Sequence, residues 1–244
     1  MSYIILWIVG ITSFSLLGAY YVRKYNRPDA LVALYVTFVI LSQIIATKIG
    51  EFSLGFTTVT APAAVLIYAV TYLLTDIVNE RFGRKETHRM VFIAFACQVA
   101  MVFFIWLATR IEPAPFWPGQ EAWESIMGLV PRITAASLVA FLASENLDAM
   151  LFDLFKKLTK GRHLWMRNVF SSIPSLTVDT FIFITIAFYG ELPLLPLIQG
   201  QILTKYLVGL LDIPFMYFNR WVIFGLRKDV APPPLVTNDQ NPVS

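Results

Sequence analysis

Charged side chains are scarce in this chain, and their scarcity excludes most classes of soluble protein. Only 14% of its 244 residues are Asp, Glu, Lys or Arg, against about 25% in an ordinary soluble domain. Hydrophobic residues make up 57% of the chain, and the mean hydropathy is +0.65. The net charge of +3 is too small to indicate nucleic-acid binding. This composition predicts one polytopic helical domain in a membrane.

Cysteine, histidine and the short motifs of known catalysts are also rare or absent. Cys97 is the one cysteine, which excludes a disulfide framework and a cysteine-based metal site. His88 and His163 stand beside basic loop residues, so we expect them at the membrane interface rather than as ligands. The sequence has no H-E-x-x-H, no G-x-S-x-G and no Walker A motif. We therefore expect no enzyme activity, no cofactor, no metal and no ATP hydrolysis by this chain.

Seven apolar stretches are long enough to cross a bilayer, since a spanning helix needs about 20 mostly apolar residues. The first lacks a preceding basic region and a cleavage signal, so we expect a retained span rather than a signal peptide. The last contains Pro196 and Pro214, which predict a kink or an unwound turn. The seven stretches are Tyr3–Val22, Leu31–Ile49, Thr57–Val78, His88–Ala108, Pro131–Phe155, Val169–Tyr189 and Leu194–Phe224.

The cationic residues between these stretches predict the orientation. Three of the 19 Lys and Arg, Lys48, Arg110 and Arg132, lie on one side. Because Lys and Arg are enriched on the cytosolic side, we expect the N-terminus outside and the C-terminus inside, in a multi-pass protein of the inner (plasma) membrane. Fourteen cationic residues lie on that cytosolic side: Arg23, Lys24, Arg27, Arg81, Arg84, Lys85, Arg89, Lys156, Lys157, Lys160, Arg162, Arg167, Arg227 and Lys228.

Carboxylates lie inside several of the apolar stretches, against a single interior lysine, Lys205. A charge near the bilayer centre costs at least about 2.5 kcal/mol on insertion scales, so it rarely lacks a partner or a task. Helical spacing places them on one polar face of each helix, and such faces are expected to turn towards each other. The polar faces comprise Tyr72, Asp76 and Asn79; Glu145 and Asp148; Asp179; and Gln201, Lys205 and Asp212.

Two interpretations of these faces remain open from the residues. In one, the polar groups hold helices together, and Lys205 neutralises Asp179 or Glu145. In the other they form a binding site, because one lysine cannot neutralise five carboxylates. Carboxylates suit a cation, a proton or a ligand edge with two adjacent N–H donors. A guanine-like edge is of the last kind, and Lys205, Gln43, Gln201 or Asn79 could serve its carbonyl oxygen.

Four blocks of the sequence resemble a known family. TYLLTDIVNERFGRKE (Thr71–Glu86) is similar to the signature of the queuosine precursor transporters, the vitamin uptake transporter family. Three further blocks agree: LDAMLFDLFKK (Leu147–Lys157), RHLWMRN with VDTFIFITIAFYG (Arg162–Asn168, Val178–Gly190), and the Lys205 helix ending in PFMY (Pro214–Tyr217). The resemblance extends from about Leu31 to Tyr217.

The resemblance implies a function and an architecture. Members of the family import 7-cyano-7-deazaguanine and 7-aminomethyl-7-deazaguanine, precursors of modified tRNA bases. Their expected architecture is a six-helix core like the substrate-binding subunits of energy-coupling-factor transporters. On this basis residues 1–30 are an added transmembrane helix and loop, 31–226 the core, and 227–244 a disordered cytoplasmic tail. The expected partners are a small deazapurine and the lipid bilayer; a homo-oligomer and a separate energising module stay open.

The resemblance also implies site residues. The family's intramembrane acids correspond to Asp76, Asp148 and Asp179, and its lysine to Lys205. Glutamine is usual in the family at the positions of Glu145 and Leu176, which places the substrate in question but not the class. The alternatives are a transporter or binding subunit for another vitamin or purine, a structural membrane subunit and, with least support, an intramembrane enzyme.

Overall fold

The computed structural model describes residues 2–53, 57–158 and 164–207, and these are mostly helical. Eight helices and one hairpin follow each other in this part of the chain. They are α1 (Ser2–Tyr25), α2 (Asp29–Ile45), β1 (Ile49–Ser53), β2 (Thr58–Pro62), α3 (Val65–Phe82), α4 (Arg84–Thr109), α5 (Gln120–Met127), α6 (Val130–Leu158), α7 (Leu164–Phe188) and α8, which is helical from 194 through 207, where the described residues end.

Within the described residues, two helical segments are long and apolar enough to cross a membrane, namely Arg84–Thr109 and Gln120–Asp148. Shorter apolar helices cover Asp29–Ile45, Val65–Asn79 and Ile173–Phe188. This composition is that of a helical membrane protein, whereas the number of spans stays a prediction. The predicted stretches at α1, α4, α6 and α7 are indeed helical, with ends within about five residues of those observed.

The predicted second and third spans need correction, because a β-hairpin lies where their adjoining ends were placed. The prediction carried Leu31–Ile49 and Thr57–Val78 as helical spans, but α2 ends at Ile45 and α3 begins at Val65. Between them β1 pairs antiparallel with β2, from Ile49 opposite Pro62 to Ser53 opposite Thr58. The strands are rich in β-branched and aromatic residues, and short apolar runs do not distinguish strand from helix by periodicity.

The predicted kink in the last stretch is also wrong at Pro196. This proline lies in the first turn of α8, where no hydrogen bond from its nitrogen is required. Pro214, Asp212 and the predicted tail lie outside the described residues. A proline that does stand inside a helix is Pro174 of α7.

Two apolar clusters form the core. One contains residues of the first four helices, α1 to α4, such as Val22, Leu31, Leu74 and Met90. The other joins the end of α2 to α6, α7 and α8, and comprises Ala46, Ala64, Ile133, Ala136, Ala140, Phe183, Ile184, Ala187, Phe188 and Leu197. The small alanines of α6 allow close packing against α7.

Contacts at the hairpin end of the bundle fix the helices of the second cluster. Arg132 at the start of α6 donates from Nε to the carbonyl of Ile186 at 2.8 Å and from a terminal nitrogen to that of Tyr189 at 2.5 Å. It thereby caps the end of α7. Because the start of α6 lies beside the end of α7, the two helices run antiparallel. On α8, Gly200 lies so close to β2 that a Cβ there would overlap the backbone carbonyl of Thr60. The hairpin therefore packs directly against α8.

Candidate functional site

A buried ion pair joins α7 to α8. The Lys205 ammonium donates to Oδ2 of Asp179, with side chains 4% and 17% exposed. The Oγ of Ser144 on α6 donates to the carbonyl of Phe141 at 3.1 Å and lies 3.5 Å from the other carboxylate oxygen. Three helices thus meet at Asp179, whose two oxygens contact different side chains. The first interpretation of the polar faces predicted that Lys205 neutralises Asp179 or Glu145. The pair with Asp179 is present, and it fixes α8 against α7.

Two further carboxylates lie beside this pair on α6. Glu145 and Asp148 are three residues apart and so share one face of the helix. Glu145 is exposed and lies within electrostatic range of Asp148 and Asp179. Together with Ser144 and Lys205 these three acids form what we call the charged cluster.

Two side chains from the start of α4 also lie near Glu145. Arg84 and His88 are both within electrostatic range of that carboxylate. The Arg84 Nε lies 3.5 Å from Nε2 of His88. His88 is exposed. Tyr35 of α2 also faces this region: its hydroxyl hydrogen-bonds Thr75 of α3, and its ring is buried.

A neutral group of buried side chains lies nearer the hairpin. Gln43 of α2 donates from Nε2 to Oε1 of Gln98 on α4 at 3.1 Å and to Oγ of Ser137 on α6 at 3.3 Å. The Gln98 amide donates to the carbonyl of Ala94, one turn earlier, at 3.4 Å. Gln43 and Gln98 are 2% and 5% exposed. We call Gln43, Gln98 and Ser137 the amide cluster. Hydrogen bonds of this kind are typical of contacts between membrane helices.

Two buried oxygens lack a donor within the described part of the chain. They are Oε1 of Gln201 on α8 and Oγ1 of Thr134 on α6, and both residues are 2% exposed. Gln201 precedes Lys205 by one helical turn, on the same face. Thr134 precedes Ser137 by three residues, towards the hairpin end.

The structure brings together some of the predicted site residues and separates others. Glu145, Asp148, Asp179 and Lys205 form one cluster. Gln43 lies in the amide cluster instead, bonded to Gln98 and Ser137. Tyr72 and Asn79 are exposed on α3. The side chain of Asp76, like the whole of Asp212, falls outside the described part.

Several polar residues in or near these clusters were not predicted as site residues: Ser144, Gln98, Ser137, Thr134 and Thr177. Gln98 had a signal, since it is the one amide in the apolar sequence of α4. Ser137 and Ser144 had another, their seven-residue spacing along one face of α6. Tyr206 contacts Thr177 at 2.6 Å and donates to the carbonyl of Ile173 at 3.1 Å, beside Pro174. A long-range contact of this kind has no local signature.

Comparisons with known proteins identify a matching family model and similar sequences. A family model described as "Putative vitamin uptake transporter" matches residues 62–219. A "Probable queuosine precursor transporter" of Bacillus subtilis (strain 168) is 32% identical over 168 residues, which cover 67% of this chain and 73% of that protein. A protein of the same description from Haemophilus influenzae (strain ATCC 51907 / DSM 11121 / KW20 / Rd) is 25% identical over 124 residues, covering 51% and 50%. No solved structure matches.

Proposed function

The chain belongs to the vitamin uptake transporter family, and from this membership we propose that it imports 7-deazaguanine precursors of modified tRNA bases. The substrates are 7-cyano-7-deazaguanine, 7-aminomethyl-7-deazaguanine or both. The observation that carries the proposal is the ion pair between Lys205 and Asp179, which Ser144 of α6 approaches from the neighbouring helix. Glu145, next to Ser144 on α6, adds a carboxylate within electrostatic range of Asp179.

The ligand chemistry follows from the carboxylates of this cluster. A 7-deazaguanine presents a ring N–H and an exocyclic amine side by side on one edge. Ionised carboxylates accept such donors in charge-assisted hydrogen bonds, which are about twice as strong as neutral ones. The bond from Lys205 holds the Asp179 carboxylate in a fixed orientation.

Each side chain of the cluster has a role in this proposal. Asp148 and Asp179 accept from the ring N–H and the amine. Lys205 or Glu145 serves the ring carbonyl or the 7-substituent: an ammonium suits the carbonyl and the nitrile, and a carboxylate suits the aminomethyl cation. Asp76 and Asn79 complete the cytosolic end of the site. Glu145, where the family usually has glutamine, then determines which substituent is preferred.

The proposal includes the arrangement in the membrane. Residues 31–226 form a six-helix core like that of energy-coupling-factor substrate-binding subunits, residues 1–30 add one helix, and 227–244 form a cytoplasmic tail. The N-terminus is outside and the C-terminus inside the inner membrane. In this orientation the hairpin and the amide cluster lie towards the outside, and the substrate reaches the charged cluster after passing them.

Uptake by cells unable to make either deazaguanine tests this proposal. Asp148→Asn and Asp179→Asn keep the size of each side chain, and we expect both to abolish uptake of labelled precursor at unchanged protein level. Asp29→Asn is the matched control, because Asp29 is exposed and pairs with Arg27 at the start of α2. Full uptake in both test variants would overturn the site. Competition by unlabelled guanine would instead indicate an ordinary purine as substrate.

A further inference from the structure

Gln201 holds a buried acceptor that the charged cluster does not use. Its Oε1 has no donor within the described residues, and the side chain is 2% exposed. Buried polar atoms are paired in the great majority of native structures, so each exception calls for an explanation. A ligand that supplies a donor when it binds is one such explanation.

Other buried polar side chains of the bundle are hydrogen-bonded, which sets the unpaired oxygen of Gln201 apart. One turn away on the same helix, Thr204 is also buried, and its hydroxyl donates to the carbonyl of Gly200 at 2.7 Å. Lys205 pairs with Asp179. Two other buried amides, Gln43 on α2 and Gln98 on α4, bond each other. The unmatched acceptor is therefore not a general property of the region.

Its position relates it to the ligand of the charged cluster. Gln201 and Lys205 are four residues apart, so they share one face of α8 and differ by about 6 Å along its axis. That separation is comparable with the distance between the two edges of a fused bicyclic base. The other unmatched acceptor, Thr134, adjoins the amide cluster on α6, whereas Gln201 adjoins the charged cluster.

The donors of the base complete the argument. A 7-deazaguanine has a ring N–H and an amine on its pyrimidine edge and a pyrrole N–H on the opposite edge. If the carboxylates take the pyrimidine edge, the pyrrole N–H points away from them along the bundle. In the nucleoside this nitrogen carries the sugar and has no hydrogen.

We propose that Oε1 of Gln201 accepts the pyrrole N–H of the base, so that the site selects the free base over its nucleoside. This inference rests on the proposed function, since it takes the ligand from there. It adds a second, uncharged contact on the hairpin side of Lys205. A substrate with a substituent on the pyrrole nitrogen loses that bond and leaves the acceptor buried without a donor, which weakens binding.

Binding to the purified full-length protein tests the inference. The probes are 7-cyano-7-deazaguanine and its analogue methylated on the pyrrole nitrogen, measured by calorimetry with wild type and Gln201→Met. Methionine has the length of glutamine but no acceptor oxygen, so the methyl group meets a similar volume. We expect wild type to bind the methylated probe about tenfold more weakly, and Gln201→Met to bind both about equally.

Thr204→Val is the matched control, because it removes a satisfied hydroxyl from the same helix and should preserve the tenfold preference. A melting temperature of Gln201→Met no lower than that of wild type checks that the fold is intact. Equal binding of both probes by wild type overturns the inference, as does a preference that persists unchanged in Gln201→Met. If wild type binds neither probe, the proposed function fails instead.

Discussion

The charged cluster and the amide cluster share helix α6 but differ in how their polar groups are matched. Ser137 of the amide cluster and Ser144 of the charged cluster are seven residues apart, about 10 Å along α6. The amide cluster is neutral, buried and bonded within itself across three helices. The charged cluster contains carboxylates and the ion pair of Lys205 with Asp179. A neutral group that is hydrogen-bonded within itself holds helices together, whereas carboxylates are suited to a ligand that brings N–H donors.

The largest expected effect comes from breaking the buried pair of the charged cluster. Asp179→Ala leaves Lys205 buried without its carboxylate, which should destabilise the protein by about 3–5 kcal/mol and abolish uptake. The double variant Asp179→Leu with Lys205→Met removes both charges and should recover most of that stability. Uptake should remain absent in the double variant. Thermal unfolding in detergent measures the effect on stability, and an uptake assay measures the effect on transport. Recovered uptake in the double variant would mean that the pair is a structural contact and not part of the binding site.

A smaller effect is expected where the hairpin meets α8, beside the amide cluster. Gly200→Val places a side chain against the backbone of Thr60, which should cost about 1–3 kcal/mol through overpacking and displace the hairpin. Gly10→Val is the control, because no atom lies within 4 Å of a Cβ added there. Thermal unfolding of the two variants measures the difference. Equal stability would mean that the hairpin does not pack on α8 as described.

The amide cluster itself should respond least. Gln98→Leu removes the acceptor of one bond from Gln43, which keeps its second bond to Ser137. We expect a loss of about 1 kcal/mol in stability and uptake close to that of wild type. An uptake assay at matched protein level checks this. Abolished uptake would give the amide cluster a direct part in transport and remove the distinction between the two regions.

Much of the charged cluster could be predicted from sequence, whereas the hairpin and the amide cluster could not. Helical spacing within α6 identifies the shared face of Glu145 and Asp148, and the cost of a buried lysine indicates that Lys205 has an acidic partner. The hairpin was missed because its strands adjoin apolar helical sequence, where hydropathy alone does not mark the change. Gln98 was missed because a single amide in an apolar helix does not reveal its partner, which depends on how α2 packs against α4.

The central claim is that the charged cluster binds the base and the amide cluster does not. Calorimetric binding of 7-cyano-7-deazaguanine to purified Asp148→Asn and Gln98→Leu compares the two regions directly. Charge-assisted hydrogen bonds contribute about 1.5–3 kcal/mol, so Asp148→Asn should bind about 10- to 100-fold more weakly, while Gln98→Leu should bind as wild type does. Unchanged affinity in Asp148→Asn, or an equal loss in both variants, would contradict the account.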